Sequence, residues 1–264
     1  MVVNLASTEP KTRPPACLAS LAALRRALAS RRAPRLAPST LYALAAFEAG
    51  AAFINFTPSQ GALAPACEEL AREQGLPYMG SDGKTGETLV KSALAPMFRY
   101  RNLRVLSWEG YNILGDRDGA VLADARNRSA KVATKDALLP RILGYPLHTH
   151  VGIDYVPSLG DRKTAWDFIH FQGFLDFQMS MQFSWHGCDA ILAAPLVLDM
   201  VRLAELALSR GEAGRMSWLS VYFKKPLGVE EHNLHRQWHL LGAYVERLAG
   251  PRSPSGGSGS LPIS

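Results

Sequence analysis

Short β-rich runs alternate with helical runs over the first 75 residues of this 264-residue chain. A β-rich run at 2–5 precedes an Ala/Leu/Arg helix at 16–29 and a helix at 40–49 capped by Ser39, and a buried run at 52–56 precedes a helix at 63–74 that Gly75 closes. This spacing of strands and helices is typical of a parallel sheet covered by helices. The sequence therefore predicts an α/β, doubly wound domain at the start of the chain.

The pattern changes after residue 80. A glycine-rich loop at 80–86 is followed by segments that predict shorter elements of both kinds. We expect helices at 88–100, 131–143, 164–174, 189–208 and 231–248, strands at 103–108, 151–156 and 178–185, and a loop at 112–127. The tail at 251–264 is rich in Pro, Gly and Ser and is predicted to be disordered.

Composition and charge exclude several classes of protein. The chain has no apolar run near the roughly 18 residues that a membrane span needs, so no membrane partner is expected. Three cysteines are too few for a disulfide framework, which favours a cytoplasmic location. The net charge of +6 is spread along the chain without an aromatic-rich RNA motif, so no nucleic-acid partner is expected either.

Lysine is scarce, and its positions are therefore informative. Only eight of the 29 basic residues are lysines. Lys131 and Lys135 share one face of a predicted helix, Lys163 follows a glycine turn, and Lys224 precedes a proline. Burial or a neighbouring ammonium lowers the pKa of a lysine towards the range used in acid–base chemistry. A solvated helix face and surface turns remain the competing interpretation.

Two further motifs are ambiguous by themselves. The glycine-rich loop at 80–86 opens a helix and could bind phosphate, but Tyr78 stands where a P-loop requires glycine. A purely structural turn would explain the same glycines. Asp116 and Asp118 lie among glycines and could hold a cation or simply form a turn. The histidines match no known metal-binding pattern.

Four segments together resemble the myo-inositol-1-phosphate synthase family, over a region from about residue 2 to 248. They are 83–98, 112–135, 153–167 and 189–206, in this order. The resemblance implies a partial NAD(P)-binding Rossmann-type sheet with an inserted α+β catalytic and oligomerisation domain. The Rossmann-type domain would comprise 1–82 and 192–250, and the inserted domain would comprise 83–191.

The resemblance also implies an activity. Members of the family convert D-glucose 6-phosphate into 1D-myo-inositol 3-phosphate by oxidation, enolisation, intramolecular aldol closure and reduction, with NAD regenerated in each cycle. They are usually homotetramers, and some use a divalent or a monovalent cation. The substrate expected here is glucose 6-phosphate, the cofactor NAD, and the protein partner a second copy of the chain.

The same resemblance assigns site residues by motif position. The catalytic residues implied are Lys131, Lys135, Lys163, Lys224, Asp118, Asp189 and Asn112. The cofactor-binding residues implied are Ser7, Thr8, Asn55, Asp82, Gly83, Thr85, Gly86 and Asp116. Ammonium groups in a site that excludes water would stabilise the negative charge of an enolate.

The sequence departs from the family pattern at its start. The family begins with a strand and a glycine-rich loop for the NAD pyrophosphate, and this sequence shows no such loop. We therefore expect weak NAD binding, and a non-catalytic truncated paralogue that acts as an assembly partner is an alternative function. A Schiff-base aldolase using one lysine and a phosphotransferase built on residues 80–85 are two more functions that the motifs leave open.

Overall fold

The computed structural model describes residues 1–10, 12–30, 34–122 and 138–249, and it contains two four-stranded sheets. The strands are β1 Val2–Asn4, β2 Phe53–Asn55, β3 Pro77–Gly80, β4 Arg104–Leu114, β5 His148–Tyr155, β6 Lys163–Gln172, β7 Gln178–Gly187 and β8 Gly214–Arg215. The helices are α1 Leu21–Leu28, α2 Pro38–Glu48, α3 Pro65–Glu73, α4 Glu87–Tyr100, α5 Arg117–Leu122, α6 Leu138–Leu143, α7 Asp189–Ser209 and α8 Leu234–Ala249.

The first sheet is parallel and has the order β1-β2-β3-β8. Its strands are short and buried, and aromatic side chains fill the space between β2, β3 and α2. The Phe47 ring makes edge contacts with Phe53 at 6.1 Å and with Tyr78 at 5.8 Å between centroids. Gly75 ends α3 with a φ of 66°, as the sequence predicts. The predicted strand–helix alternation is therefore confirmed.

One detail of this region differs from expectation. Because α2 follows a serine-containing stretch, Ser39 would be its expected cap, but the helix begins at Pro38 and Ala37 is the N-cap residue. Proline suits this first position because it has no N–H to leave unsatisfied. The Ser39 hydroxyl instead donates to Glu9 Oε2 at 2.5 Å and accepts from the Gly61 N–H at 3.0 Å.

The second sheet is mixed and has the order β5-β4-β6-β7. Strand β4 pairs in parallel with β5 and antiparallel with β6, and β6 and β7 form an antiparallel hairpin. Helices α4 and α6 cover one face of this sheet. The core beneath them contains Phe98, Trp108, Ile169 and Phe171.

Two predicted elements of this region are wrong. Residues 164–174 were expected to form a helix, but β6 occupies 163–172. Its inward residues alternate with apolar residues on the open face, so the period of two is hidden in the sequence. Asn112 was expected in a loop, but β4 runs on to Leu114. The predicted strand at 178–185 and the long helix at 189–208 are confirmed.

The domain boundaries at 82/83 and 191/192 stay a prediction. The predicted tail at 251–264 and most of the predicted helix at 131–143 lie outside the described residues. Among the helices that the structure describes, none is long and apolar enough to cross a membrane.

Candidate active site

A cavity of about 750 Å³ lies at the carboxyl ends of β1, β2 and β3. Ser7 and Thr8 follow β1, Thr57 follows β2, and Asp82 and Gly83 follow β3, and all of these residues line the cavity. The carboxyl ends of parallel strands meet at one edge of a sheet, which is where such sheets bind ligands. The polar side of the cavity is thus built by three successive strand ends.

The opposite wall of the cavity is apolar and comes from the first turns of α7. Ala190, Ala193, Ala194 and Val197 lie along it. Their small side chains keep the cavity wide. A wall of this kind suits the flat faces of a bound ring, while the polar loops opposite can form hydrogen bonds.

Lys224 and Asp82 form one of two ion pairs at the cavity. Lys224 Nζ lies 2.9 Å from Asp82 Oδ1, and the Lys224 backbone N–H donates to the Asp82 carbonyl at 2.7 Å. Asp82 has a φ of 64°, in the left-handed region that aspartate tolerates better than most residues. Burial alone would lower the pKa of Lys224, but the Asp82 carboxylate raises it above the ordinary value. Lys224 is therefore a stable cation.

Lys163 and Asp189 form the second ion pair. Lys163 Nζ lies 2.8 Å from Asp189 Oδ1 and 3.0 Å from Oδ2, and the Thr85 hydroxyl donates to Oδ1 at 3.4 Å. A Cβ atom on Gly86 would stand 2.9 Å from Lys163 Nζ. The glycine therefore allows the lysine to pass beside the loop.

A narrow cleft of about 20 Å³ adjoins the cavity and shares Thr85, Asp189 and Lys224 with it. Lys163 and Asn112 also line this cleft. Asn112 Nδ2 donates to Glu87 Oε2 at 2.5 Å. Asn112 Oδ1 is buried and has no hydrogen-bond partner among the described residues. The cleft thus combines two ammonium groups with an amide oxygen.

The structure places most of the predicted site residues together. The cavity is lined by Ser7, Thr8, Asp82, Gly83, Thr85, Asp118, Asp189 and Lys224. The cleft is lined by Gly86, Asn112 and Lys163, together with residues shared with the cavity. Their catalytic and cofactor-binding roles stay predictions. Lys131 and Lys135 lie outside the described residues.

Two predicted residues line neither space. Asn55 is buried behind the cavity, where its Nδ2 donates to the Ser59 carbonyl at 2.7 Å and its Oδ1 accepts from Asn4 Nδ2 at 3.0 Å. Asp116 Oδ1 accepts from the Gly119 N–H at 2.8 Å at the start of α5. Both side chains hold loops in place at the edge of the site.

Sequence reasoning missed Lys84. Its side chain is buried, and Nζ donates to Gln237 Oε1 at 2.5 Å. Burial, with a smaller contribution from the charge of Lys224, lowers the pKa of Lys84 to about 7. The scarcity of lysine was a signal, but the distant partner on α8 was not visible in the sequence.

A metal centre has no support from the described residues, since no group of three or more His, Cys, Asp or Glu side chains among them could hold an ion. The expected cation remains untested. The cysteines that the structure describes, Cys17, Cys67 and Cys188, are all free thiols.

Comparison with known proteins gives consistent matches. The family model for myo-inositol-1-phosphate synthase matches residues 86–190. Inositol-3-phosphate synthase 1 of Bacteroides thetaiotaomicron is 36% identical over 247 residues, which cover 89% of this chain and 58% of that protein. The inositol-3-phosphate synthase of Trypanosoma brucei brucei is 34% identical over 186 residues, covering 67% of this chain and 35% of that protein.

Solved structures agree in fold. The crystal structure of inositol-3-phosphate synthase from Caenorhabditis elegans matches with a TM-score of 0.86 and 28% identity, over 100% of this chain and 57% of that one. A myo-inositol-1-phosphate synthase-related protein from Thermotoga maritima matches with a TM-score of 0.80 and 28% identity, over 92% of this chain and 65% of that one. The chain thus spans little more than half the length of the Bacteroides thetaiotaomicron and Caenorhabditis elegans proteins.

Proposed function

The chain belongs to the myo-inositol-1-phosphate synthase family, and on that premise we propose that it carries the catalytic centre for converting D-glucose 6-phosphate into 1D-myo-inositol 3-phosphate. The observation that carries this proposal is that two lysine–aspartate pairs meet where the cavity and the cleft adjoin. Lys163 with Asp189 and Lys224 with Asp82 both border the cleft or the cavity. An isomerisation that passes through an enolate needs such fixed positive charges.

The cavity has features that fit NAD. It lies at the carboxyl ends of three parallel strands, has one apolar wall and one polar wall, and Gly83 approaches the Phe56 ring so closely that a Cβ would lie 2.1 Å from it. In this proposal Ser7, Thr8, Asp82 and Thr85 hold the dinucleotide. When bound, NAD supplies a reversible hydride acceptor for the sugar.

The two lysines have different tasks in this proposal. Because Asp82 keeps Lys224 protonated, Lys224 binds and neutralises an anionic oxygen of the sugar phosphate. Lys163 is held by Asp189 and lines the cleft, where its ammonium group stabilises the enolate. Gripping the phosphate also orients the two carbons that the aldol step must join.

The first experiment is incubation of the 264-residue chain with glucose 6-phosphate and NAD, followed by ³¹P and ¹³C NMR. We expect inositol phosphate to accumulate. Lys163→Met should lower turnover by at least about 100-fold, because a charge that stabilises the enolate is lost. Lys225→Met is the matched control, because Lys225 is the exposed neighbour of Lys224, and it should leave turnover unchanged.

Three further results would distinguish the synthase from the competing functions. Absence of product from the wild-type chain would refute the proposed activity and favour the non-catalytic assembly partner. A covalent adduct trapped by borohydride would instead indicate a Schiff-base aldolase, since the synthase reaction forms none with the protein. Equal turnover in the Lys163 and Lys225 variants would show that the ion pair has no catalytic role.

We also propose that the chain assembles with copies of itself, as the resemblance implies for a homotetramer. On the open face of the second sheet the Trp166 ring stacks against Phe168 on β6 and lies tilted beside Tyr111 on β4. The hairpin that joins β6 to β7 exposes Phe174 at 86% and Phe177 at 69%. Such apolar surfaces indicate contact with protein.

Light scattering tests this interface. The double variant Phe174→Ser/Phe177→Ser should have a smaller particle mass than the wild-type chain, and an unchanged mass would refute the interface.

The proposed compartment is the cytoplasm, which rests on the unpaired cysteines of the sequence.

A further inference from the structure

A cluster of buried charged side chains lies behind the cleft, between α4 and the middle of the second sheet. Lys91 Nζ lies 2.6 Å from Glu87 Oε1 and 3.8 Å from Asp167 Oδ1. Trp108 Nε1 donates to Asp167 Oδ1 at 2.7 Å, and the centre of its indole ring is 5.9 Å from Lys91 Nζ. All four side chains are buried. Lys91 is thus a buried cation shared by two carboxylates.

Gly110 provides the space for this cluster. It pairs with Asp167 across β4 and β6. A Cβ atom on Gly110 would stand 2.4 Å from Glu87 Oε1, 3.1 Å from Lys91 Nζ and 3.2 Å from Asp167 Oδ1. The absence of a side chain at this position in β4 therefore allows the three charged groups to converge.

The cluster contacts the candidate active site through Asn112. Glu87 bonds to Lys91 with Oε1 and accepts from Asn112 Nδ2 with Oε2. An ionised carboxylate can only accept hydrogen bonds, so the end of the Asn112 amide that faces it must be the NH₂ group. The Asn112 oxygen is then turned away from Glu87, and it is this oxygen that lacks a hydrogen-bond partner among the described residues beside the cleft.

Lys91 helps to maintain this arrangement. Removing Lys91 takes away a cation that lies 2.6 Å from the buried Glu87 carboxylate, and this loss favours uptake of a proton. Protonated Glu87 could donate to the Asn112 oxygen, and the amide would then rotate to present its NH₂ group to the cleft. Lys91, one turn along α4 from Glu87, supplies the charge that stabilises the ionised form.

We propose that Lys91 and Glu87 are positioning residues that fix the orientation of the Asn112 amide, so that its oxygen is presented to the cleft as an acceptor for a hydroxyl group of the sugar phosphate. This inference rests on the proposed function of the same site. It concerns two residues of the segment 83–98 to which the resemblance assigns no role: Glu87, which lines the cleft, and Lys91, which lies behind it.

A double-mutant cycle tests the proposal. We measure kcat and KM for the wild-type chain, Lys91→Met, Asn112→Ala and the double variant. Because Lys91 acts through Asn112, Lys91→Met should lower kcat by about 10- to 100-fold with KM for glucose 6-phosphate within about threefold. The double variant should be no slower than Asn112→Ala. Losses that multiply would overturn the proposal, as would an unchanged kcat in Lys91→Met.

Two further variants separate positioning from a general loss of stability. Leu70→Ala opens a space in the core of the first sheet, far from the cluster, and should lower the melting temperature without lowering kcat. Gly110→Ala keeps every charge and displaces the flexible end of Glu87, so it provides the test if Lys91→Met does not fold. Its kcat loss should likewise vanish when Asn112 is already alanine, and an independent loss would contradict the proposal.

A structural measurement distinguishes failure of this inference from failure of the proposed function. If the wild-type chain makes no inositol phosphate, the proposed function fails, and crystal structures of the wild-type chain and Lys91→Met at atomic resolution still test the cluster. We expect the Asn112 NH₂ group to face Glu87 in the wild-type chain and to turn or become mixed in the variant. An unchanged amide in both would refute the positioning role.

Discussion

Replacing Lys84 by methionine should make the free energy of unfolding less dependent on pH. The pKa of Lys84 is lowered from 10.5 to about 7 in the folded chain. Between these two values the unfolded chain binds a proton that the folded chain does not. Stability therefore rises with pH across this window, and the penalty is present in full below about pH 7. The Lys84→Met variant has no amine at this position, so its free energy of unfolding does not change with pH for this reason.

The size of the effect follows from the width of the window. Each pH unit within it corresponds to about 1.4 kcal/mol, so raising the pH from 7.5 to 9.5 should stabilise the wild-type chain by about 2.5 kcal/mol relative to Lys84→Met. At pH 7.5 the variant should also gain up to about 4 kcal/mol from removal of the penalty. Loss of the hydrogen bond to Gln237 offsets about 1–3 kcal/mol of that gain.

Urea unfolding followed by circular dichroism at three pH values measures this difference. Comparing the two chains at each pH cancels the contributions of titrating groups that do not interact with Lys84, such as the buried thiol of Cys67; His232 and Lys224 do interact with it and are followed separately. Lys225→Met serves as the control, because Lys225 is exposed, and its curve should run parallel to that of the wild-type chain. If the Lys84→Met curve also runs parallel, the amine is not held neutral by burial and the reasoning is refuted.

Three other predictions follow from the site and the core. Asp82→Asn removes the carboxylate that raises the pKa of Lys224, so the alkaline limb of the pH–activity profile should move to lower pH. The charges of Asp189, Asp118 and Lys84 also act on Lys224. If the alkaline limb does not move, Lys224 is not the group that titrates there. Gly86→Ala places a methyl group against Lys163 and should lower kcat about tenfold with little change in melting temperature; steady-state kinetics would contradict this if kcat were retained. Burial raises the pKa of the Cys67 thiol to about 12, so iodoacetamide at pH 8 should modify the half-buried Cys17 and Cys188 much faster than Cys67, as mass spectrometry of peptides can check.

Strands β1 and β2 of the first sheet and the helices beside them could be predicted from sequence because each carries its own local signal, whereas β3 and β8 were not predicted. Proline begins α2 and α3, glycine ends α3, and the strands between them are short apolar runs. Strand β6 could not be predicted in this way. Trp166 and Phe168 on its open face are apolar, while Asp167 between them is buried and charged, so the alternation that marks a half-buried strand is lost.

Site residues could be predicted where a single residue type carries the chemistry. They could not be predicted where a contact depends on how the strands of the second sheet pair. Scarce lysines and ordered motifs identify Lys163 and Lys224. The spacing of Glu87 and Lys91 on α4 was visible, but their meeting with Asp167 depends on the pairing of β4 with β6 and on Gly110. Asn55 is the opposite case. The resemblance assigns it to cofactor binding, but its side chain forms hydrogen bonds that connect the ends of strands.

The pairing of β8 with β3 has a consequence for the order of folding. Strand β8 completes the first sheet, yet the entire second sheet lies between the two strands in the chain. Closing so long a loop of unfolded chain is entropically unfavourable, and the cost falls if the intervening residues are already compact. The second sheet, whose four strands follow one another in the chain, should therefore form early and bring the chain back to β3, where the last strand of the first sheet adds at the end of folding.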